Sequence, residues 1–318
     1  MMKKLISFCL LIVVVFAGCE SQGDKFTHFN VRETLLGKIN NRKILKAFFI
    51  NEKKGFAVIA KDTVVMTNDS CKTFSVSLTA KSSVFEAMTF MNDHVGYVID
   101  FNNKVFKTVD GGISWTLTRI PIKGANLLDI HCLKNGTVFL AAGGNAQSQT
   151  GYIIKSTDGG RIWETTMTNN IMQIAFLDDS TGFAAGYGGI LKTSDCGKTW
   201  ETISTFPAND ILFVDADNGY FNFNRSLYKT ADGGKNWKLM KNITNPHWIV
   251  GDDFSRIENL SLLKEKDLIF SLNARLIKVT PEQKWFQYEF TRPYYQFQMI
   301  NSQKGIVYGF ENLILVQF

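Results

Sequence analysis

Five aspartates recur in one local setting, and that setting limits what their side chains can do. Asp69, Asp110, Asp158, Asp195 and Asp232 lie in the segments Met66 to Phe74, Lys107 to Trp115, Lys155 to Trp163, Lys192 to Trp200 and Lys229 to Trp237. Asp110, Asp158 and Asp232 are each followed by Gly-Gly, and the last four segments end in Trp115, Trp163, Trp200 and Trp237. A carboxylate in such a loop accepts hydrogen bonds from N–H groups of its own turn, and the glycines supply positive φ. One carboxylate per loop makes a poor calcium cage, since that ion takes roughly six to eight oxygens. The aromatic returns along the next strand and is placed to pack between neighbouring units. These are expected to be structural turns.

Other residues that carry chemistry do not converge. The sequence has no GxSxG elbow, no P-loop and no HExxH. His28, His94, His131 and His247 are scattered, and His131 reads as a packed residue of an inner strand. Cys71, Cys132 and Cys196 are odd in number and irregularly spaced, which gives neither a disulfide framework nor a metal spacing. Gly143-Gly144 and Gly186 to Gly189 sit between strands as hairpin turns. No catalytic residue, metal or cofactor is assigned, and the reading favours a non-enzyme.

The elements that position the turns follow from their spacing. The aspartates are 41, 48, 37 and 37 residues apart, a period typical of propeller blades. An apolar residue, a polar turn and a further strand precede each one, at Phe49…Gly55, Phe90…Gly96, Phe176…Gly182, Phe213…Gly219 and Met299…Gly305. Shortened versions at Cys132…Gly136 and Leu262…Leu268 bring the starts to seven. Lys278 to Trp285 reads as an eroded sixth turn, with Glu282 near the aspartate position. The last unit ends at Phe318 after three strands, so Phe26 to Leu36 is expected to supply its outermost strand and close the ring without open edges. The fold expected is an all-β, seven-bladed β-propeller of four-stranded antiparallel blades.

The Asp-Gly-Gly-x-x-Trp turns resemble the Asp-box, or BNR repeat, of sialidases, sortilins, several glycoside hydrolases and photosystem II assembly-factor-like propellers. The last of these is the best match in length, blade number and run of turns. That resemblance implies a non-enzymatic scaffold or assembly factor that binds another protein, as a monomeric propeller. The alternative is a divergent glycoside hydrolase. Arg119-Ile120-Pro121 is similar to the arginine motif of sialidases but follows a turn in the second blade, and nothing selects a tyrosine nucleophile with its glutamate partner.

The amino terminus carries Met1 to Lys4, an apolar run from Leu5 to Ala17, and Phe16-Ala17-Gly18-Cys19. This resembles the lipobox of bacterial lipoproteins, which implies cleavage before Cys19 and lipidation of that cysteine. The expected organisation is a lipoprotein signal peptide over 1–18, a lipidated tether over 19–25 and the propeller over 26–318. The implied location is the bacterial cell envelope, with Glu20 favouring the outer membrane. Lys+Arg number 35 against 29 Asp+Glu, a net charge of +6, too small a balance for a dedicated nucleic-acid binder.

A four-stranded meander sorts its loops by parity. The Asp turns fall on one face; the loops between second and third strands, and the connectors between blades, fall on the other. The latter carry eleven basic residues against five acidic ones, including Lys61, Lys104, Arg225, Arg256, Arg275 and Arg292. Two connectors add aromatics, Trp248 in one and Tyr294 and Tyr295 in another. Aromatics beside arginines are good anchors, so this connector face is the candidate binding surface for a protein, or for an acidic polymer or glycan.

Overall fold

The computed structural model describes residues 27–29, 31–39, 43–144, 149–243, 257–263, 266–272, 275–290, 296–309 and 312–318. Seven antiparallel sheets follow one another along the chain. The first blade comprises Ile44–Phe49, Gly55–Ile59, Thr63–Thr67 and Ser75–Thr79, and the second Phe85–Phe90, Gly96–Asp100, Lys104–Thr108 and Thr116–Arg119. The third, fourth and fifth begin at Asn126–Cys132, Gln173–Phe176 and Asp210–Phe213, the sixth at Ile257–Leu262 and the seventh at Gln296–Asn301. The architecture is the seven-bladed propeller expected from the repeat.

Burial changes from strand to strand for a reason visible in composition. Second strands such as Gly55–Ile59, Gly96–Asp100 and Gly182–Gly186 are buried at every position, because blades cover both their faces. Outermost strands such as Thr116–Arg119 and Glu164–Asn169 are mostly exposed and rich in Thr. The glycine that opens the second strand serves close approach. A Cβ at Gly55 would lie 2.3 Å from the Phe49 ring, and one at Gly96 would lie 2.3 Å from Phe90. The inner-strand phenylalanine thus lies flat on its own blade.

Its other face meets the preceding blade. Phe90 stacks on Phe56 at 4.1 Å, Phe176 on Phe139 at 4.4 Å and Phe213 on Phe183 at 3.6 Å. Three of the tryptophans that close Asp turns meet the same phenylalanine edge-on, Trp115 at 6.2 Å, Trp200 at 6.2 Å and Trp237 at 5.9 Å. Such pairs contribute about 0.5–1.5 kcal/mol each beyond area burial. At these three junctions blade packing is a repeated three-ring unit.

Closure comes from the amino-terminal side, with one addition. Arg32–Lys38 pairs antiparallel with Asn312–Gln317 and completes the seventh blade as its outermost strand. Thr27–His28 instead runs parallel to Trp285–Glu289 and makes the sixth blade five-stranded. The segment expected to form one strand thus forms two, on adjacent blades. The Tyr288 hydroxyl donates to Glu33 Oε1 at 2.6 Å, and Phe29 packs on Tyr288 and Phe318. Lys304 pairs with Glu52 at 2.7 Å across the seam between the seventh and first blades. Among the described residues, no helix is long and apolar enough to cross a membrane.

Candidate functional site

The Asp turns are complete within themselves. Asp110 Oδ1 accepts the Ile113 and Ser114 N–H groups at 3.0 and 2.9 Å and the Thr108 hydroxyl at 2.8 Å. Its Oδ2 accepts the Ser114 hydroxyl, and Thr108 Oγ1 accepts the Gly112 N–H at 2.8 Å. Asp69, Asp158, Asp195 and Asp232 repeat the arrangement. The Thr73 side chain holds Asp69, and the Asn236 side chain Asp232, at about 2. The hydroxyls of Ser114 and Thr199 push Asp110 and Asp195 below the usual carboxylate range, as acceptor bonds to an anion do. Cys196 and the Ser70-Cys71 pair take the positive φ that glycines hold elsewhere in these turns.

Lysines tie two of the turns to the blade before them, a feature the sequence reading did not isolate. Lys107 Nζ sits 5.8 Å from the Tyr97 ring and donates to Gly159 O at 2.6 Å in the next blade. Lys155 sits over Phe139 and donates to Cys196 O at 2.7 Å. The first blade has Met66 at this position, and Lys54 from a different loop substitutes, over Phe56 and bonded to Asp93 O.

The opposite, connector face is less complete. Tyr187 projects from the Gly186-Tyr187-Gly188-Gly189 turn and is 53% exposed; Phe206, in the connector to the fifth blade, is 58% exposed. Phe223 meets Tyr187 edge-on at 6.3 Å, and Phe206 stacks on Tyr228 at 6.4 Å. Arg225 lies in the Phe223–Ser226 turn and is half-buried. The Tyr187 turn is held rigidly. Gly189 has φ +109, and a Cβ there would lie 2.3 Å from Ser204 O, while one on Gly188 would strike the Asn169 side chain.

The channel mouth beside this patch is a cavity of about 520 Å³ lined by first strands, including Lys46, Asp129, Gln173, Asn209, Asp210 and Gln298. Its polar side chains reach between blades. Asp129 Oδ2 accepts the Ile174 N–H at 3.0 Å, Gln173 Oε1 that of Ile211 at 2.6 Å, and Asp210 Oδ2 that of Leu260 at 2.8 Å. Gln298 Oε1 accepts the Phe49 N–H at 2.8 Å across the closing seam. Burial pushes Asp129 up to about 7; the Ile174 and Ile130 N–H groups and Lys46 oppose this, while Asp210 adds to it. Burial likewise raises Glu86 and lowers His131 to about 4, on a ring that lies tilted against Phe176.

The proposed basic residues divide among several environments. Lys61 is exposed on its turn and Arg225 lies beside the aromatic patch. Lys104 is only 9% exposed, pairs with Asp100 at 3.0 Å and donates to Ser83 Oγ. Arg275 is 7% exposed and pairs with Glu289 at 2.9 Å. Asp210, one of the five acidic residues expected in the connector-face loops, lies on a channel strand. Cys19, Trp248, Arg256, Arg292, Tyr294 and Tyr295 lie outside the described residues. The channel positions had a sequence signal: Lys46, Asp129, Gln173 and Asp210 each stand three residues before the Phe or Cys that ends a first strand.

These features define a seven-bladed β-propeller with an aromatic patch beside a polar channel mouth. No family model matches the chain, and no curated protein matches it. Among solved structures it is similar to YCF48 bound to a D1 peptide, with a TM-score of 0.68 and 17% identity over 92% of this chain and 99% of that one. It is also similar to YCF48 from Cyanidioschyzon merolae, with a TM-score of 0.65 and 14% identity over 90% and 98% of the two chains. Virginiamycin B lyase from Staphylococcus aureus gives 0.70 and 12% over 91% and 99%. At these identities the likeness concerns the fold.

Proposed function

We propose that this chain is a binding propeller without catalytic activity, held at the bacterial envelope by a lipid on Cys19, that captures a segment of another protein on its connector face. The observation that carries this reading is the exposure of Tyr187, on a turn fixed by close glycine contacts, and of Phe206, with Arg225 in the turn that follows Phe223. Rigid aromatics are efficient anchors because little side-chain freedom is lost when they are covered. The D1 peptide bound to the structurally similar YCF48 supports a protein partner. An acidic polymer or glycan fits less well, because Asp129 and Asp210 line the adjoining mouth. The glycosidase alternative is weakened by the use of these carboxylates. Asp210 accepts the Gln173 amide on one oxygen and the Leu260 N–H on the other, which makes it an inter-blade latch.

The test is capture from the native envelope with quantitative mass spectrometry, comparing the wild type with Tyr187→Ala/Phe206→Ala and with Arg225→Glu. Loss of specific partners in both variants is expected; an unchanged partner set removes the proposal. Incorporation of a labelled fatty acid in the wild type but not in Cys19→Ser tests the tether. Sedimentation of the labelled protein with inner-membrane markers would overturn outer-membrane delivery.

A further inference from the structure

The first described strand shows from which side the chain arrives. Thr27–His28 runs parallel to Trp285–Glu289 on the outer edge of the sixth blade, with Thr27 level with Phe286. Trp285–Glu289 starts at the hairpin that joins it to Arg275–Val279, which lies on the Asp-turn face. The chain before Thr27 therefore comes from the Asp-turn side, at the rim of the sixth blade. A lipid on Cys19 leaves seven residues, 20–26, between the anchor and this point. Fully extended, such a segment reaches about 25 Å. So short a tether brings a bilayer up to the Asp-turn face.

Two turns on that face depart from the repeat at their tips. Val109, Ile113 and Ile162 are 63%, 75% and 70% exposed. At the position of Val109 the first, third and fourth blades carry Asn68, Thr157 and Ser194. At that of Ile113 the other four turns carry Lys72, Arg161, Lys198 and Lys235, all exposed. At that of Ile162 they carry Thr73, Ser114, Thr199 and Asn236. The turns use only the backbone N–H of Ile113 and Ile162, which donate to Asp110 and Asp158, so these side chains are not needed by the loops that carry them. The two turns are neighbours, joined by the bond from Lys107 to Gly159 O. In a ring of seven, the sixth blade lies three steps from the second and three from the third. The apolar tips thus stand opposite the point where the chain arrives.

We infer, resting on the lipid tether proposed above, that the tips of the second and third Asp turns dock on a lipid bilayer, with Val109, Ile113 and Ile162 entering its surface. A bilayer suits these tips because it takes apolar side chains without hydrogen bonds, and each loop has matched its polar groups internally. Arg161, beside Ile162, is exposed and long enough to reach lipid phosphates while its stem lies along the apolar side chains. The acids exposed on this face, Asp93, Asp178, Asp179 and Asp217, lie in the inner loops between first and second strands, nearer the channel. A tether alone fixes distance from the membrane and not attitude. Contact at both ends of one diameter holds the ring flat, with Tyr187 and Phe206 turned away from the lipid.

Depth in the membrane is the quantity to measure. The full chain, purified from the envelope, is reconstituted into phosphatidylethanolamine/phosphatidylglycerol vesicles with a nitroxide on Thr157→Cys, in the third turn, or on Lys81→Cys, on the connector face. The unsubstituted chain gives the background from Cys71, Cys132 and Cys196. The Thr157 label should lose most of its contact with a water-soluble relaxant and gain contact with oxygen; the Lys81 label should do neither. Val109→Ser/Ile113→Ser/Ile162→Ser should return the Thr157 label to water, while fatty-acid incorporation and flotation with vesicles persist. Thermal melting of this variant, expected unchanged because the positions are exposed, separates loss of contact from loss of fold. Flotation with the Thr157 label in water, or unaltered depth in the triple variant, overturns the inference and leaves the tether standing. A chain that incorporates no fatty acid and does not float removes the tether, and the inference with it. Captured partners or self-association lost in the triple variant would assign the tips to a protein or a second copy, and would also overturn it.

Discussion

On the Asp-turn face, Asp110 commits both oxygens to its own loop, and Lys107 bonds that face of the second blade to the third. On the connector face, Tyr187 and Phe206 leave more than half their surface in water, although glycine contacts fix the turn beneath Tyr187. The Asp110 turn and the Gly186-to-Gly189 turn are both short loops between paired strands, so loop length alone does not separate them. The difference is polar satisfaction. A turn whose donors and acceptors are matched internally has nothing left to offer a ligand, whereas an aromatic held rigidly in water gains by being covered.

The largest effect should come from removing a ring that both faces depend on. Phe213→Ala deletes the partner of Phe183 and Trp237 and is expected to cost about 3–5 kcal/mol, measured by urea denaturation, with the partner set unchanged at a temperature where the variant is folded. Next is Asp129, whose folded value of about 7 lies above the ordinary 3.8. A raised acid favours the folded state below its unfolded value and loses that contribution as pH climbs through the folded one. Wild-type Tm should therefore fall as pH rises from about 3.8 to about 7, each tenfold difference in proton affinity between the two states being worth about 1.4 kcal/mol. Asp129→Asn keeps an acceptor for the Ile174 N–H and should flatten that slope; an equally steep slope in the variant would assign it to another group.

Thr108→Val sharpens the comparison from the Asp-turn side. It strands the buried Gly112 N–H and removes one donor from Asp110, and should cost about 1–3 kcal/mol without altering capture. A loss of partners in this variant would mean that the Asp-turn face also binds. Smallest in stability but largest in function is Tyr187→Ala/Phe206→Ala. Exposed residues rarely shift stability by more than about 0.5 kcal/mol, whereas affinity for the partner segment should drop about tenfold or more by surface plasmon resonance.

Much of the architecture is legible in the residues. The Asp-Gly-Gly-x-x-Trp turns, with the phenylalanine-to-glycine starts such as Phe90…Gly96, report blade number because hydrogen bonding and steric approach within a single hairpin dictate them. The donated strand was predictable because an incomplete seventh blade would leave an open edge. The short parallel pairing of Thr27–His28 was not, since two residues carry no periodicity. The basic connector face shows where such reading stops. Lys104 and Arg275 look like free cations in sequence, but Asp100 and Glu289 reach them only after the strands pair. Asp129 and Ile174 are 45 residues apart yet meet in the channel, and the charge cost at Asp129 exists only once seven blades exclude water around it. The sequence by itself determined the repeat, the turn chemistry and the way the ring closes, all of which are properties of short segments. Tertiary structure alone decided which charges are neutralised and which aromatics remain exposed, because each depends on neighbours supplied by another strand or another blade.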